Sequence, residues 1–108
     1  MKISTAAKEY LTEIEVRKFT PKTVRSYRNN LSLFLRFCEN EAGIAEIENV
    51  TLAVVRQFTA FMIAKGRKGS YVNGLLKVTK AFIQYCYDEG YGGFNTRKNS
   101  NGANKRKR

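Results

Sequence analysis

Basic side chains recur at helical spacing along two segments of the chain, interleaved with small polar residues. At about 100° per residue, the first segment brings six side chains onto one face: Lys22, Arg25, Arg28, Asn29, Ser32 and Arg36. The second segment brings four together: Asn73, Lys77, Lys80 and Gln84. Cationic side chains neutralise phosphates, while amides and hydroxyls hydrogen-bond to phosphate oxygens and base edges. Faces of this composition are suited to binding a polyanion.

The chain as a whole carries the same excess of positive charge. Twenty Lys and Arg residues against nine Asp and Glu give the 108 residues a formal net charge of +11. This balance favours nucleic acid as the partner. Between Glu48 and Asp88 there are six basic residues and no acid. The acids gather instead near the predicted carboxyl ends of two helices and in a connector: Glu39, Glu41, Glu46, Glu48, Asp88 and Glu89.

This separation of charge runs against the helix dipole, which favours cations at carboxyl ends. Basic helix starts, with their free N–H groups, are suited instead to phosphates. The alternative is that each basic face is simply solvated and needs no ligand. One charged face does not discriminate between these hypotheses, but the same separation on two helices favours an anionic ligand.

Apolar residues at helical spacing predict four helices that would position these faces. The first covers about residues 5–17, with Ser4 or Thr5 as its N-cap. The second begins at Thr20-Pro21 and ends at Gly43. The predicted core residues of these two helices are Ile3, Ala7, Tyr10, Leu11, Ile14, Val24, Tyr27, Leu31, Phe34 and Cys38.

The third helix follows a connector over 44–50, with Thr51 as N-cap and a break at Gly66. The fourth covers about 71–89, with Ser70 as N-cap and Gly90 at its end. Gly74 inside it is unfavourable by about 1 kcal/mol relative to Ala, and either permits close approach of another backbone or is neutral. The predicted core residues here are Leu52, Val55, Phe58, Met62, Leu75, Val78, Phe82, Ile83 and Cys86.

The length and pattern predict one compact all-α domain of four helices over residues 1–94. Residues 95–108 hold six basic residues, no acid and almost nothing apolar. Such a segment cannot bury enough surface to offset its ordering entropy, so we expect a flexible basic tail or linker. Three hypotheses are open for its final run, 105–108: an unstructured tail without a specific role, a non-specific DNA contact by a linker, and a nuclear-localisation signal.

Several functional classes are disfavoured by what the sequence contains. It has two cysteines, Cys38 and Cys86, and no histidine, so neither a zinc site nor a disulfide framework is expected. The cysteines are expected to be buried reduced thiols of a cytoplasmic protein. No apolar run is long enough for a membrane span. No cofactor motif or catalytic constellation is present, and Tyr27 and Tyr85 are expected to be packing residues rather than nucleophiles.

The order and spacing of these residues along the chain resemble the core-binding domain of tyrosine recombinases, the phage-type integrases. Thr20–Tyr27, followed by Leu31 and Phe34, is similar to the second helix of that SAM-like domain. Its third helix and the approach to it are matched by Ile47, Val50, Thr51, Val55 and Phe58. Its fourth helix and ending are matched by 69–73, Leu75, Leu76, 80–82, Tyr85, Gly90 and Tyr91. The resemblance covers about residues 5–94, and its specificity lies in the ordered set of spacings.

The resemblance implies that the second and fourth helices face double-stranded DNA, as one half of a clamp on the core recombination site. The residues that would contact DNA are Lys22, Thr23, Arg25, Arg28, Lys68, Ser70, Tyr71, Asn73, Lys77 and Lys80. In this family the catalytic residues lie in a separate domain, so no catalytic residue, metal or cofactor is expected here. The whole recombinase would be a bacterial or phage-encoded protein of the cytoplasm, associated with the nucleoid. It would assemble as a tetramer on DNA, whereas the isolated domain would be a monomer.

The sequence departs from the family pattern in two places. Tyr71 stands where the family usually has Thr, and 93–95 lacks the usual Asn-Pro. Two other functions remain open. One is a stand-alone regulator of helix-turn-helix type, whose turn would lie at 66–70. The other is a helical protein-interaction domain whose basic face binds an acidic protein.

Overall fold

The computed structural model describes residues 1–96 of the chain. Four α-helices form this part: α1 (Ile3–Val16), α2 (Pro21–Phe37), α3 (Leu52–Ala64) and α4 (Gly69–Asp88). A π-helical turn, Cys38–Ala42, extends α2, and a 3₁₀ turn, Ile47–Asn49, precedes α3. Over residues 1–96 the one β-type pairing is an antiparallel bridge between Lys2 and Glu46. The predicted all-α, four-helix fold is confirmed, and the predicted basic tail lies outside the described residues from position 97 onward.

The core joins all four helices through the apolar stripes that the spacing predicted. Phe34 of α2 and Phe58 of α3 are each at most 1% exposed, and their ring centroids lie 5.2 Å apart in an edge-to-face arrangement. Phe82 of α4 is completely buried. Each buried Phe stabilises the fold by about 1.5–3 kcal/mol relative to an exposed one. Of the predicted core residues, only Leu11, Tyr27 and Leu52 are half-buried rather than buried.

Two of the predicted helix caps are confirmed. The hydroxyl oxygen of Thr20 accepts a hydrogen bond from the backbone N–H of Thr23 at 3.2 Å, and Pro21 occupies the first helical position. The hydroxyl oxygen of Thr51 accepts from the N–H of Val54 at 3.4 Å. The predicted ends are confirmed as well, since α3, α4 and the π-helical turn that extends α2 are each followed by a glycine with positive φ: Gly66, Gly90 and Gly43.

The predicted N-caps of α1 and α4 are wrong. α1 begins at Ile3, before Ser4 and Thr5, because the N–H of Ile3 donates to the carbonyl of Ala45 at 2.8 Å and its side chain is buried. α4 begins at Gly69, with Lys68 as N-cap and no side-chain cap bond, so Ser70 lies inside the first turn. For α1, a tertiary hydrogen bond and burial of Ile3 fix the start of the helix, which a local cap pattern does not report.

The segment after α4 folds back onto the domain. A Cβ at Gly92 would lie 3.0 Å from the Cα of Glu48, and one at Gly93 would lie 3.2 Å from a methyl carbon of Ile83. Further along, Thr96 hydrogen-bonds to Gln84 of α4. The chain therefore runs along the connector before α3 and then returns to α4.

Candidate nucleic-acid interface

The predicted cations of α2 lie on its solvent-facing side. Lys22, Arg25 and Arg28 are exposed, whereas Val24 and Leu31 on the opposite side are buried. None of the three cations forms an ion pair with another described residue. Their charge is therefore available to an external anion. We call these three residues the α2 basic face.

Thr23 has a local role in addition to any contact with a ligand. It is half-buried, and its hydroxyl forms a hydrogen bond of 2.9 Å with the hydroxyl of Thr20. The two threonines thus close the first turn of α2 together. Thr23 belongs to the cap that fixes where the α2 basic face begins.

The predicted residues of α4 also lie at the surface. All six are exposed: Lys68, Ser70, Tyr71, Asn73, Lys77 and Lys80. The three lysines have no ion-pair partner within residues 1–96. We call this set the α4 basic face. On the opposite side of the helix, Leu75, Val78 and Phe82 enter the core.

Tyr71 forms a contact that the sequence analysis did not include. The guanidinium of Arg67 lies over its ring, 5.6 Å from the centroid, while the ring itself is 43% exposed. A cation–π pair of this kind holds the arginine close to the start of α4. Arg67 therefore adjoins the α4 basic face. In the sequence, its position four residues before Tyr71 was the feature from which this contact could have been predicted.

Gln84 does not belong to the exposed polar face on which its spacing placed it. Its side chain is 6% exposed. Its Oε1 accepts hydrogen bonds from the backbone N–H and the hydroxyl of Thr96, and its Nε2 donates to Asp88 at 2.9 Å. The segment after α4 that contains Thr96 covers Gln84. The exposed polar face of α4 consequently ends near Lys80.

The two basic faces are carried by helices that pack on one tyrosine of α1. The ring of Tyr10 lies 6.3 Å from that of Tyr27 on α2. It also lies 5.8 Å from the ring of Phe82 and 5.2 Å from that of Tyr85, both on α4. Aromatic pairs at these separations contribute beyond the area that they bury. Tyr10 thereby ties α2 and α4 to a common support.

Two shallow grooves border the basic faces. Arg25 and Arg28 line one of about 380 Å³ together with Glu15, Phe19 and the first turn of α2. Lys80 lines another of about 310 Å³ with Arg17 of α1 and Thr96. Arg17 was not predicted as a site residue, and its Nε donates to Glu13 at 2.8 Å. Its place at the end of the predicted first helix gave no indication that it would lie near Lys80.

Two acids of the connector are held by the amino terminus. The Met1 ammonium lies 2.9 Å from the carboxylate of Glu48 and 3.2 Å from that of Glu46. This hydrogen bonding holds the pKa of Glu48 below its usual range and raises the pKa of the Met1 amine. None of the residues of the two basic faces takes part in this cluster.

The cysteines and tyrosines behave as the sequence predicted. Cys38 and Cys86 are buried free thiols, and burial raises the pKa of each to about 12. Tyr27 and Tyr85 are packing residues, and burial raises the pKa of Tyr85 well above its usual range. Such a shift favours the neutral phenol, the opposite of an activated nucleophile. Among residues 1–96 no cluster of His, Cys, Asp or Glu is arranged to hold a metal ion.

No helix in the described part of the chain is both long enough and apolar enough to cross a membrane. The fold and the surface together define a small helical domain with two exposed cationic faces. Residues 7–90 match the family described as "Phage integrase, N-terminal SAM-like domain". The chain belongs to this family, as the resemblance of its residues indicated.

Two curated proteins show which larger proteins carry such a domain. Tyrosine recombinase XerC of Thermodesulfovibrio yellowstonii is 31% identical over 83 residues, which is 76% of this chain and 26% of that protein. Tyrosine recombinase XerC of Oceanobacillus iheyensis is 34% identical over 83 residues, which is 77% of this chain and 26% of that protein. The matched region thus spans about a quarter of the length of these relatives. No solved structure gave a significant match to the chain.

Proposed function

We propose that residues 1–94 form the DNA-binding domain of a site-specific tyrosine recombinase and grip the core recombination site through α2 and α4. The proposed contacts are Lys22, Thr23, Arg25, Arg28, Lys68, Ser70, Tyr71, Asn73, Lys77 and Lys80. Lysine and arginine would neutralise phosphates, whereas Asn73 has the amide that reads adenine when it reaches a base edge. Residues 95–108 would serve as a basic linker.

One observation carries this proposal. The six cations of the two basic faces are exposed and have no acidic partner in the described part of the chain. Both acids of the connector, Glu46 and Glu48, are occupied by the amino terminus. Unpaired cations on two adjoining helices favour a polyanion over a neutral ligand. Membership of the integrase family makes DNA the polyanion of choice.

The remaining parts of the proposal concern the larger protein. The cutting and rejoining of DNA would be performed by a different domain, and residues 1–96 would supply no catalytic group, metal or cofactor. The recombinase would act on DNA in the cytoplasm as a tetramer. The isolated domain would remain a monomer, because part of the subunit contacts would belong to the other domain.

The proposal is tested by titrating the isotope-labelled chain with a short DNA duplex and following its amide resonances. We expect shifts concentrated on 22–28 and 68–80 that fade as salt rises. For six phosphate contacts the affinity should fall about a thousandfold between 50 and 200 mM salt. The amides of α3 that surround the exposed Arg56 serve as an internal reference that should not move.

Two outcomes would overturn the proposal. If DNA left 22–28 and 68–80 unmoved, the two basic faces would be solvated surface without a DNA ligand. If only residues beyond 94 responded, the binding would be non-specific attraction to the basic segment. In either case the same spectra recorded with an acidic protein would test the protein-interaction alternative. A helix-turn-helix regulator would instead show a dimer on a single operator-like duplex.

A further inference from the structure

Three of the four helices within residues 1–96 end in the same hydrogen-bonded turn. In each, one backbone N–H just beyond the helix donates to the carbonyl three residues earlier, and the next N–H donates to the carbonyl five residues earlier. The pattern is that of a Schellman motif, whose central residue adopts a left-handed conformation. The bonds are Lys18 to Glu15 and Phe19 to Ile14 after α1, Gly66 to Ile63 and Arg67 to Met62 after α3, and Gly90 to Tyr87 and Tyr91 to Cys86 after α4.

Lys18 occupies the position that the other two turns give to glycine. Its φ is 65°, against 83° for Gly66 and 78° for Gly90. Within residues 1–96 it is the one non-glycine residue with positive φ. Glycine adopts this conformation without a steric penalty, whereas a residue with a Cβ does not. Asparagine would also be better suited than lysine, because its short amide bonds to the local backbone.

The neighbouring residues explain how the strained turn is maintained. The ring of Phe19 packs edge-on against that of Tyr27 at 5.7 Å. Thr20 caps α2, and Pro21 fixes its first position. These contacts define the path of the chain directly after Lys18, and directly before it the N–H of Arg17 donates to the carbonyl of Glu13. They hold the residue in its conformation but do not explain why it is a lysine.

The side chain of Lys18 makes no contact within the domain that would offset the unfavourable free energy of its left-handed conformation. It is exposed and has neither an ion pair nor an aromatic contact with another described residue. A cation at the end of α1 is favourable for the helix dipole, but Arg17 already supplies one there. Strain that persists without an internal gain points to a function outside the domain.

We propose that Lys18 binds a DNA phosphate directly beside those bound by the α2 basic face, and that its charge is retained there at the expense of stability. This inference rests on the proposed DNA-binding function. Lys18 lies in the turn that leads into α2, and Phe19 lines the same groove as Arg25 and Arg28. A duplex that lies along the α2 basic face would extend past this turn. The contact would be to the backbone and therefore independent of the DNA sequence.

The test combines stability and binding measurements on two variants. Lys18→Asn removes the charge and suits the left-handed turn, so we expect its Tm to rise by about 2–6 °C. Its affinity for a DNA duplex should fall about three- to tenfold at 0.1 M salt, and its salt slope should decrease by about 0.9. Lys18→Arg keeps the charge and should match the unaltered chain in both affinity and slope.

Arg56→Gln on α3 is the matched control for the loss of one positive charge, and it should leave the salt slope unchanged. If Lys18→Asn raised the Tm but left affinity and slope unchanged, Lys18 would not be a DNA contact. If Lys18→Asn lowered the Tm, Lys18 would serve the fold, and the inference would also fail. If the unaltered chain bound no DNA, or if neither Arg25→Ala nor Lys77→Ala weakened binding, the proposed function itself would be wrong.

Discussion

Thr96 donates two hydrogen bonds to one oxygen of Gln84, from its backbone N–H at 2.8 Å and from its hydroxyl at 2.9 Å. The acceptor is a buried side chain twelve residues earlier in the chain, on α4. We expect Gln84→Ala to lower the free energy of unfolding by about 1–3 kcal/mol, because the partly buried donors lose their acceptor. Urea denaturation followed by circular dichroism measures this change.

The control for this prediction is Gln57→Ala, which removes the exposed glutamine of α3. It should change the free energy of unfolding by less than about 0.5 kcal/mol. The amide of Thr96 should also exchange with solvent faster in the Gln84→Ala protein. Equal stability of the two variants would mean that the segment after α4 is not held by Gln84.

Thr20→Ala and Ser70→Ala form a matched pair for the helix caps. The side chain of Thr20 accepts a hydrogen bond at the start of α2, whereas Ser70 lies inside the first turn of α4 and caps nothing. Thr20→Ala should lower the free energy of unfolding by about 1 kcal/mol. Ser70→Ala should lower it by less than about 0.5 kcal/mol. If Ser70→Ala lowered the free energy of unfolding as much as Thr20→Ala, Ser70 would be the N-cap that the sequence predicted.

Arg25→Ala and Lys77→Ala are expected to weaken DNA binding without loss of stability. Both side chains are exposed, and neither has an ion-pair partner in residues 1–96. Each change should lower the salt slope of binding by about 0.9 if the residue neutralises one phosphate. Fluorescence anisotropy with a labelled duplex measures the slope, and Arg56→Ala is the control. Unchanged slopes for both variants would remove α2 and α4 from the interface.

The two buried thiols predict a decline in stability at alkaline pH. Burial raises the pKa of Cys38 and Cys86 from 9.0 to about 12. The unfolded chain therefore releases these protons near pH 9 while the folded chain retains them, so stability is complete below that pH and falls above it. The free energy of unfolding should be about 1–2 kcal/mol lower at pH 9.5 than at pH 7.5. A Cys38→Ala, Cys86→Ala double variant should show a smaller decline in the free energy of unfolding over this pH range. An equal decline would mean that groups other than the two thiols cause it.

Gly74→Ala should stabilise the domain. Gly74 is exposed within α4, and a Cβ there would meet no described atom within 4 Å apart from its chain neighbours and the backbone of α4 itself. No backbone of this domain approaches it, so the helix should gain about 1 kcal/mol in free energy of unfolding. Thermal melts measure the gain. A drop in DNA affinity together with that gain would indicate that the DNA backbone passes close to α4 at this point.

The periodicity of the sequence was sufficient for the helices and for most of their buried faces. Phe34, Phe58 and Phe82 each recur at helical spacing with other apolar residues, and each is buried. The pattern works because one side of each helix packs on a shared core, so exposure follows rotation about the helix axis. The exposure of Arg25 and Lys77 followed from the same geometry.

Contacts between distant parts of the chain were not predictable in this way. The start of α1 depends on a hydrogen bond from Ile3 to Ala45, and the burial of Gln84 depends on Thr96. Both contacts join segments that a helical repeat does not relate. The left-handed Lys18 is a similar case, because nothing in its residue type indicates that conformation.

Under the proposed function, the position of Tyr10 would affect how the domain binds a double helix. Its ring packs against Tyr27 on α2 and against Phe82 and Tyr85 on α4, so a smaller side chain there would remove a support that the two helices share. Phosphates along a duplex occur at fixed intervals, so under the proposed function the separation of α2 and α4 would decide which of them can be bound at the same time. A buried aromatic ring that never approaches the ligand would then affect how the ligand is bound.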